Sequence, residues 1–240
     1  MTSGWIMQES TIEFVNRKIR GIDKNFVTPK HDYGCFDMIV NDWGTYAPQW
    51  SPFIDNYRTV IQAGGNVGAY PWLLGRKFER VYTFEPDPYS FFCLAQNLKQ
   101  PKFIKFNCCL GDGCGQQQMI PVAPYAPDQI EHDPLLGERV VQGRIMHNTG
   151  MSKVGYGPMT VHQLSIDSLN VDDVDLIMLD IEGFELHALR GAVNTIKRCS
   201  PVILIEATNQ VDQIEKLLTS AKYTKVAEFA EPTNQLWKKL

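Results

Sequence analysis

The chain has no apolar run near the roughly 18 residues that a membrane-crossing helix requires, so no membrane span is expected. It has no basic surplus. Lys and Arg total 23 against 27 Asp and Glu, a formal net charge of −4. A nucleic-acid partner is therefore not expected, since a positive excess is what neutralises phosphates. Residues 1–12 carry no basic cluster ahead of an apolar stretch, so a secretory leader is not expected. Six cysteines stand at positions 35, 93, 108, 109, 114 and 199, with no C-x-x-C pair and no zinc-type His spacing. They read as reduced thiols, and the cytoplasm is the expected compartment. Cys108 and Cys109, as neighbours on a strand, face opposite sides and read as packing.

Internal repeats and low-complexity tracts are missing too. G-x-G-x-x-G would need Gly at 66 and 69, where Asn66 and Ala69 stand, and no Walker A motif occurs. A pyrophosphate cradle is thus poorly supported. No N-P-P-Y or D-P-P-Y follows the fourth strand of the domain, the signature with which amino-methylating nucleic-acid enzymes grip a flipped base.

What is present suits a folded chain. The 240 residues are 44% hydrophobic and 21% charged, enough for a core without metal or disulfide staples. Residues 1–58 read as an N-terminal extension. Ser10 and Glu13 form a capping box, and Ile12, Val15, Ile19 and Ile22 follow at helical spacing, which predicts a short helix. An irregular aromatic stretch follows (Tyr33, Phe36, Trp43, Tyr46, Trp50, Phe53), read mostly as core.

From residue 59 to 240, strands alternate with helices. Strands are expected at 57–63, 81–85, 103–109, 175–180 and 202–206, and a closing hairpin at 223–229 and 234–239. Asp87 caps the helix after the second strand, with Pro88 at its first position. The rhythm predicts an α/β, three-layer, Rossmann-like sheet, mostly parallel, with a C-terminal antiparallel hairpin strand. It breaks between Cys109 and Asp175, an interval far longer than a crossover of about 10–12 residues. There Gln116–Ile120 and Met159–Leu164 read as extra strands, and 121–158 reads as a long insertion loop.

Ligands of such sheets bind at the carboxyl ends of the strands. The candidates are therefore the turn Gln62-Ala63-Gly64-Gly65-Asn66-Val67-Gly68, the acid Glu85, the turn Leu110-Gly111-Asp112, the run Asp180-Ile181-Glu182-Gly183-Phe184-Glu185, and Glu206 with Asn209. A glycine turn between strand and helix lets a ligand approach the backbone and aims N–H groups at it. An acid ending the next strand can accept both hydroxyls of a ribose, which points to a nucleoside cofactor. Glu182 and Glu185 also fit helix-start acids favoured by the dipole, and Asp112 also fits a plain turn residue. Asp180, Glu206 and Asn209 offer oxygen ligands that would suit Mg²⁺. His147 and Asn148 can face an acceptor from the insertion loop, or can simply be exposed.

Three blocks resemble the FkbM-type family of class I S-adenosylmethionine-dependent methyltransferases. They are VIQAGGNVGAY (60–70) with YTFEPDPYSFFCLAQNL (82–98), SIDSLNVDDVDLIMLDIEGFELHALRGA (165–192), and PVILIE (201–206). The D-x-E-G-x-E run is the specific part. The resemblance implies S-adenosylmethionine as cofactor, with Gly64, Asn66 and Gly68 around its methionine part, Glu85 on the ribose, and Leu110 and Asp112 beside adenine. It places Asp180 and Glu182 where donor and acceptor meet, with Glu206 as a second acid, and it does not require Mg²⁺. Gln62 departs from the pattern, which has an acid there for the cofactor's ammonium. The expected reaction is O-methylation of a hydroxyl on a small molecule or carbohydrate. Two other readings stay open: a nicotinamide-dependent oxidoreductase or epimerase, disfavoured by Asn66 and the lack of Tyr-x-x-x-Lys, and a non-catalytic protein that keeps the fold.

Overall fold

A computed structural model describes residues 13–18, 24–30, 47–120, 139–141, 144–146, 152–207, 209–229 and 234–239. Among them a seven-stranded sheet forms the centre. Its strands are β3 (Thr59–Ala63), β4 (Arg80–Phe84), β5 (Phe103–Phe106), β12 (Val174–Leu179), β13 (Val202–Glu206), β14 (Tyr223–Phe229) and β15 (Asn234–Lys239). They lie in the order β14-β15-β13-β12-β3-β4-β5. Every neighbouring pair from β13 to β5 is parallel, and β15 runs antiparallel to both β13 and β14. This is the class I methyltransferase fold that the sequence implied.

Strand periodicity sends alternate side chains to opposite faces, and each face carries its own core. Ile61, Ile177, Leu179, Ile203 and Ile205 pack with Leu186 and Leu189 of α3 (Glu185–Arg190), Ile196 of α4 (Val193–Cys199), and Ile214 and Leu218 of α5 (Val211–Ser220). Val60, Leu176, Met178 and Leu204 pack with Leu74 of α1 (Ala69–Leu74) and Leu94 of α2 (Pro88–Asn97). The sheet is thus buried on both sides, as near-continuous apolar strands such as VILIE require. Asp87 caps α2 as expected, its Oδ1 accepting from Tyr89 N at 3.0 Å and Ser90 N at 2.8 Å.

Three expectations are corrected. Residues 14–18, expected to be helical, form β1 (Phe14–Lys18), paired antiparallel with β2 (Asn25–Pro29). Phe26 and Thr28 of β2 are fully buried, and β2 packs on α2, so tertiary burial outweighs the helical spacing. Ser10, Ile12, Ile19 and Ile22 lie outside the described residues. The expected strand 103–109 ends at Phe106. After a bend it resumes as β6 (Cys109–Leu110), which belongs to a second sheet. The helix expected from Leu186 through Ile196 is two helices broken at Gly191, where a Cβ would collide with the carbonyl oxygen of Gly111. Asp167 restarts the chain as α4, accepting from Asn194 N and Thr195 N.

The long interval holds the second sheet, in order β10-β7-β11-β6, from β7 (Gly115–Ile120), β10 (Lys153–Val154) and β11 (Met159–Leu164). The extra strands at 116–120 and 159–164 are therefore present. A further hairpin joins β8 (Arg139–Val141) to β9 (Arg144–Met146). Among the described residues no helix is long and apolar enough to cross a membrane.

The extension shares the core of the main sheet. Trp50 is wholly buried in the cluster that holds Val60, Leu74 and Leu176. Trp50→Ala is expected to cost about 3–5 kcal/mol through lost burial and a residual cavity. The check is a lower urea midpoint at unchanged m-value.

Candidate functional site

The carboxyl ends of β3 and β12 meet closely. Gly64 adopts φ +85, and a Cβ there would collide with the carbonyl oxygen of Asp180. Only glycine fits. The turn after β3 does not aim free N–H groups outward, contrary to expectation. Gly64 N and Gly65 N both donate to Phe84 O, at 3.1 and 2.9 Å, and Gly68 N donates to Gly65 O. Asn66, at φ +45, donates its backbone N–H to Glu85 Oε2 at 2.7 Å, and Val67 N donates to Asn66 Oδ1 at 2.6 Å. The turn is a closed, self-bonded shelf.

Gln62 explains how the shelf is held. Its side chain is buried, and every polar atom is engaged. Nε2 donates to Ala63 O at 3.1 Å and to Gly64 O at 2.9 Å, and Oε1 accepts from Thr83 Oγ1 at 2.7 Å. A carboxylate has no protons for those two carbonyls. The neutral residue at this position is thus matched to its surroundings.

Glu85 ends β4 with its carboxyl facing the shelf. Its Oε1 accepts from Asp87 N at 2.9 Å and its Oε2 from Asn66 N at 2.7 Å. It is only 6% exposed. Burial, reinforced by Asp87, pushes its pKa up to about 8 despite the two backbone donors. Each oxygen keeps a lone pair for a further donor.

Beyond β6, Leu110 is buried and Asp112 projects from the Gly111-Asp112-Gly113 turn. Asp112 Oδ1 lies 2.5 Å from His187 Nδ1. The His187 ring stacks on Phe184, with centroids 4.3 Å apart and planes at 18°.

At the mouth of β12 stand four acids. Asp180 is exposed and neighbours Glu206, which ends β13. Burial, and then the neighbouring Asp180, push the Glu206 pKa up to about 9. Glu182, at φ +55, is pushed up to about 6 by burial and Asp180, against the pull of Lys153. Glu185 is buried, and burial pushes it up to about 7. It folds back on its own loop, accepting from Ile181 N at 3.0 Å and Gly183 N at 3.2 Å. The Asn209 amide covers Gly183, where any Cβ would strike it. The other acids of 167–185 do not join the mouth. Asp172 pairs with Arg198, Asp173 with Arg80 and Asp175 with Arg58, and Asp167 caps α4.

His147 and Asn148 lie outside the described residues. Among the described residues no group of three His, Cys, Asp or Glu converges as a metal site. Cys108 and Cys109 are buried, and their thiols are pushed up to about 12 by desolvation, as packing residues. Sequence reasoning missed Thr83, Lys153 and His187. Of these, only His187 carried a signal, its i,i+3 helical spacing from Phe184.

The methyltransferase FkbM domain matches residues 62–225, more than half of the chain. The chain belongs to this family. Methyltransferase 1 of Beauveria bassiana is 22% identical over 196 residues, covering 75% of this chain and 67% of its own. The hexuronic acid methyltransferase AglP of Haloferax volcanii is 27% identical over 167 residues, covering 66% of this chain; this chain spans 60% of the length of AglP. The crystal structure of Trm5b from Pyrococcus abyssi shares the fold at TM-score 0.51 and 11% identity, covering 95% of this chain and 56% of Trm5b.

Two predictions arise from these contacts. Gln62→Glu is expected to cost about 2 kcal/mol or more, by facing a carboxylate with two carbonyls, and to leave S-adenosylhomocysteine affinity no tighter. Thermal melts and calorimetry check it. The second concerns Glu85, whose pKa rises from 4.5 to about 8 on folding. Folding takes up a proton in that window, so its stabilisation is complete below 4.5 and is lost as pH rises through 8. Wild type should lose stability relative to Glu85→Gln across that window, read from urea midpoints at successive pH values.

Proposed function

We propose that the chain is an S-adenosylmethionine-dependent methyltransferase that O-methylates a hydroxyl on a small molecule or sugar. The observation that carries this is the close approach of the Asp180 carbonyl to Gly64, which sets the acids that follow β12 beside the turn that ends β3. A nucleoside cofactor on that shelf, with its ribose at Glu85, brings its reactive end to these acids. The name of the Haloferax volcanii relative, a hexuronic acid methyltransferase, favours a sugar-class acceptor.

The residues present fit this cofactor. Glu85 would take the ribose hydroxyls, and the hydrogen-bonded turn of Gly64, Asn66 and Gly68 would border the methionine part. Leu110 and Asp112 would border the adenine. The methionine ammonium would not meet Gln62, whose amide is committed to the shelf. Gln62 therefore gives no support to a silent protein, since its amide has a structural task.

When bound, the cofactor supplies an electrophilic methyl on sulfur. The methyl would pass to the acceptor oxygen, and the electron pair of the S–CH₃ bond would remain on the departing sulfur. The acceptor hydroxyl gives its proton to a carboxylate of the β12 mouth. Asp180 and Glu182 are the bases assigned here, with Glu206 as the second acid beside them. Lys153 holds Glu182 toward its ionised form. Alignment does the rest, because an in-line displacement needs mainly proximity and orientation.

The test is transfer of labelled methyl from S-adenosylmethionine into a panel of glycans and small hydroxyl compounds. Asp180→Asn combined with Glu182→Gln is expected to lower turnover by about 100-fold or more. S-adenosylhomocysteine affinity should change less than about threefold. Full turnover in the double variant would refute the assignment.

A further inference from the structure

We propose that the cavity between the β1–β2 hairpin and the C-terminal end of α2 is a second ligand site, which takes a small phosphomonoester on Lys24 and Lys99. The cavity has a volume of about 340 Å³ and is lined by Lys24, Gln96, Asn97, Lys99, Gln100 and Phe103. That volume suits a small molecule. Phe103 opens β5 at its amino end, so the site lies apart from the shelf and its acids, which stand at the carboxyl ends of the strands. No acid lines it, and among the described residues neither Lys24 nor Lys99 forms an ion pair.

Neutral groups hold Lys24 in place. Its Nζ donates to the Asn97 carbonyl oxygen and lies 4.9 Å from the Phe26 ring centre and 5.8 Å from that of Trp72. Such contacts position an ammonium without cancelling its charge. The Asn97 side chain ties the hairpin to α2. Its Oδ1 accepts from Val27 N at 2.8 Å, and its Nδ2 donates to Val27 O at 2.9 Å and to Val67 O at 2.8 Å. Burial, and then the Lys99 charge, lower the Lys24 pKa. The two cations thus border one space with no counter-charge, and an anion between them relieves both costs. The C-terminal end of a helix ordinarily disfavours anions. Here Lys24 covers the Asn97 carbonyl and Lys105 Nζ donates to Leu98 O at 2.6 Å, so lysines already offset that end. A phosphomonoester carries about −1.5 to −2 at pH 7, a match for two ammonium groups, and lysine binds phosphate as a point charge. The Gln96 and Gln100 amides offer donors and acceptors to a hydroxylated body, and Phe103 adds an apolar wall.

The experiment is titration calorimetry of the intact chain with glycerol 3-phosphate and with glycerol, at constant ionic strength. Wild type should bind glycerol 3-phosphate one-to-one and give no saturable signal with glycerol. Lys99→Met keeps an apolar stem and removes the charge, and it should weaken glycerol 3-phosphate about tenfold or more. Lys24→Met should do the same. Lys99 is exposed, so its substitution spares the fold and keeps the test decisive if Lys24→Met unseats the hairpin. Lys102→Met is the control. It removes the same charge outside the cavity lining, where Lys102 Nζ donates to Gly75 O at 2.5 Å. It should change the affinity less than about twofold, because exposed charges are screened. No saturable binding of glycerol 3-phosphate by wild type would overturn the proposal. So would equal weakening by Lys99→Met and Lys102→Met, which would mark diffuse surface charge only. Either failure leaves the methyltransferase reading standing, since S-adenosylhomocysteine binds elsewhere in that reading.

Discussion

The carbonyl oxygen of Asp180 occupies the space that a side chain at residue 64 would need. That contact between the ends of β3 and β12 organises the site. It requires glycine at position 64 and bends the chain at φ +85. It also sets the Asp180 side chain beside the shelf that the turn forms. The N–H groups of the turn are bonded to Phe84, Glu85 and Asn66, so the shelf needs no ligand to satisfy them. Gln62 and Thr83 brace it from within the sheet. Preorganisation of this kind removes ordering costs that a looser loop would meet on binding.

A second consequence is electrostatic. Bringing strand ends together gathers carboxyl groups in a poorly hydrated place. Glu85, Glu182, Glu185 and Glu206 are all raised, in each case first by burial. Their protons are held for different uses. Glu85 and Glu185 accept backbone N–H bonds and hold loops. Glu206 is raised further by its neighbour Asp180. The −4 charge of the chain is thus only partly a property of the mouth, since Asp172, Asp173 and Asp175 are neutralised by Arg198, Arg80 and Arg58 elsewhere.

Much of this was legible in the residues. Apolar strands such as VILIE, the Asp87-Pro88 cap and the closing hairpin specify the sheet locally, so each could be read without its neighbours. The turn at Gly64 and the acids at 180, 182 and 206 were also visible, because strand ends are where such folds bind. What could not be read depended on distant partners. The β1–β2 hairpin owes its form to burial of Phe26 and Thr28 against α2, which spacing alone does not reveal. The role of Gln62 depends on Thr83, a neighbour across the sheet. The Asp112–His187 contact joins residues 75 positions apart. Glu185, read as a helix-start acid, does open α3, and its carboxyl also clamps the loop before it, because the φ values at Glu182 and Gly183 turn two N–H groups back toward it.

The central claim is that the shelf between β3 and β4 receives an adenosyl sulfonium and not a dinucleotide. Titration calorimetry of the intact chain with S-adenosylhomocysteine and with NAD tests it most directly. The account predicts saturable one-to-one binding of S-adenosylhomocysteine, weakened by Glu85→Ala, and no binding of NAD. Binding of NAD without S-adenosylhomocysteine would contradict it.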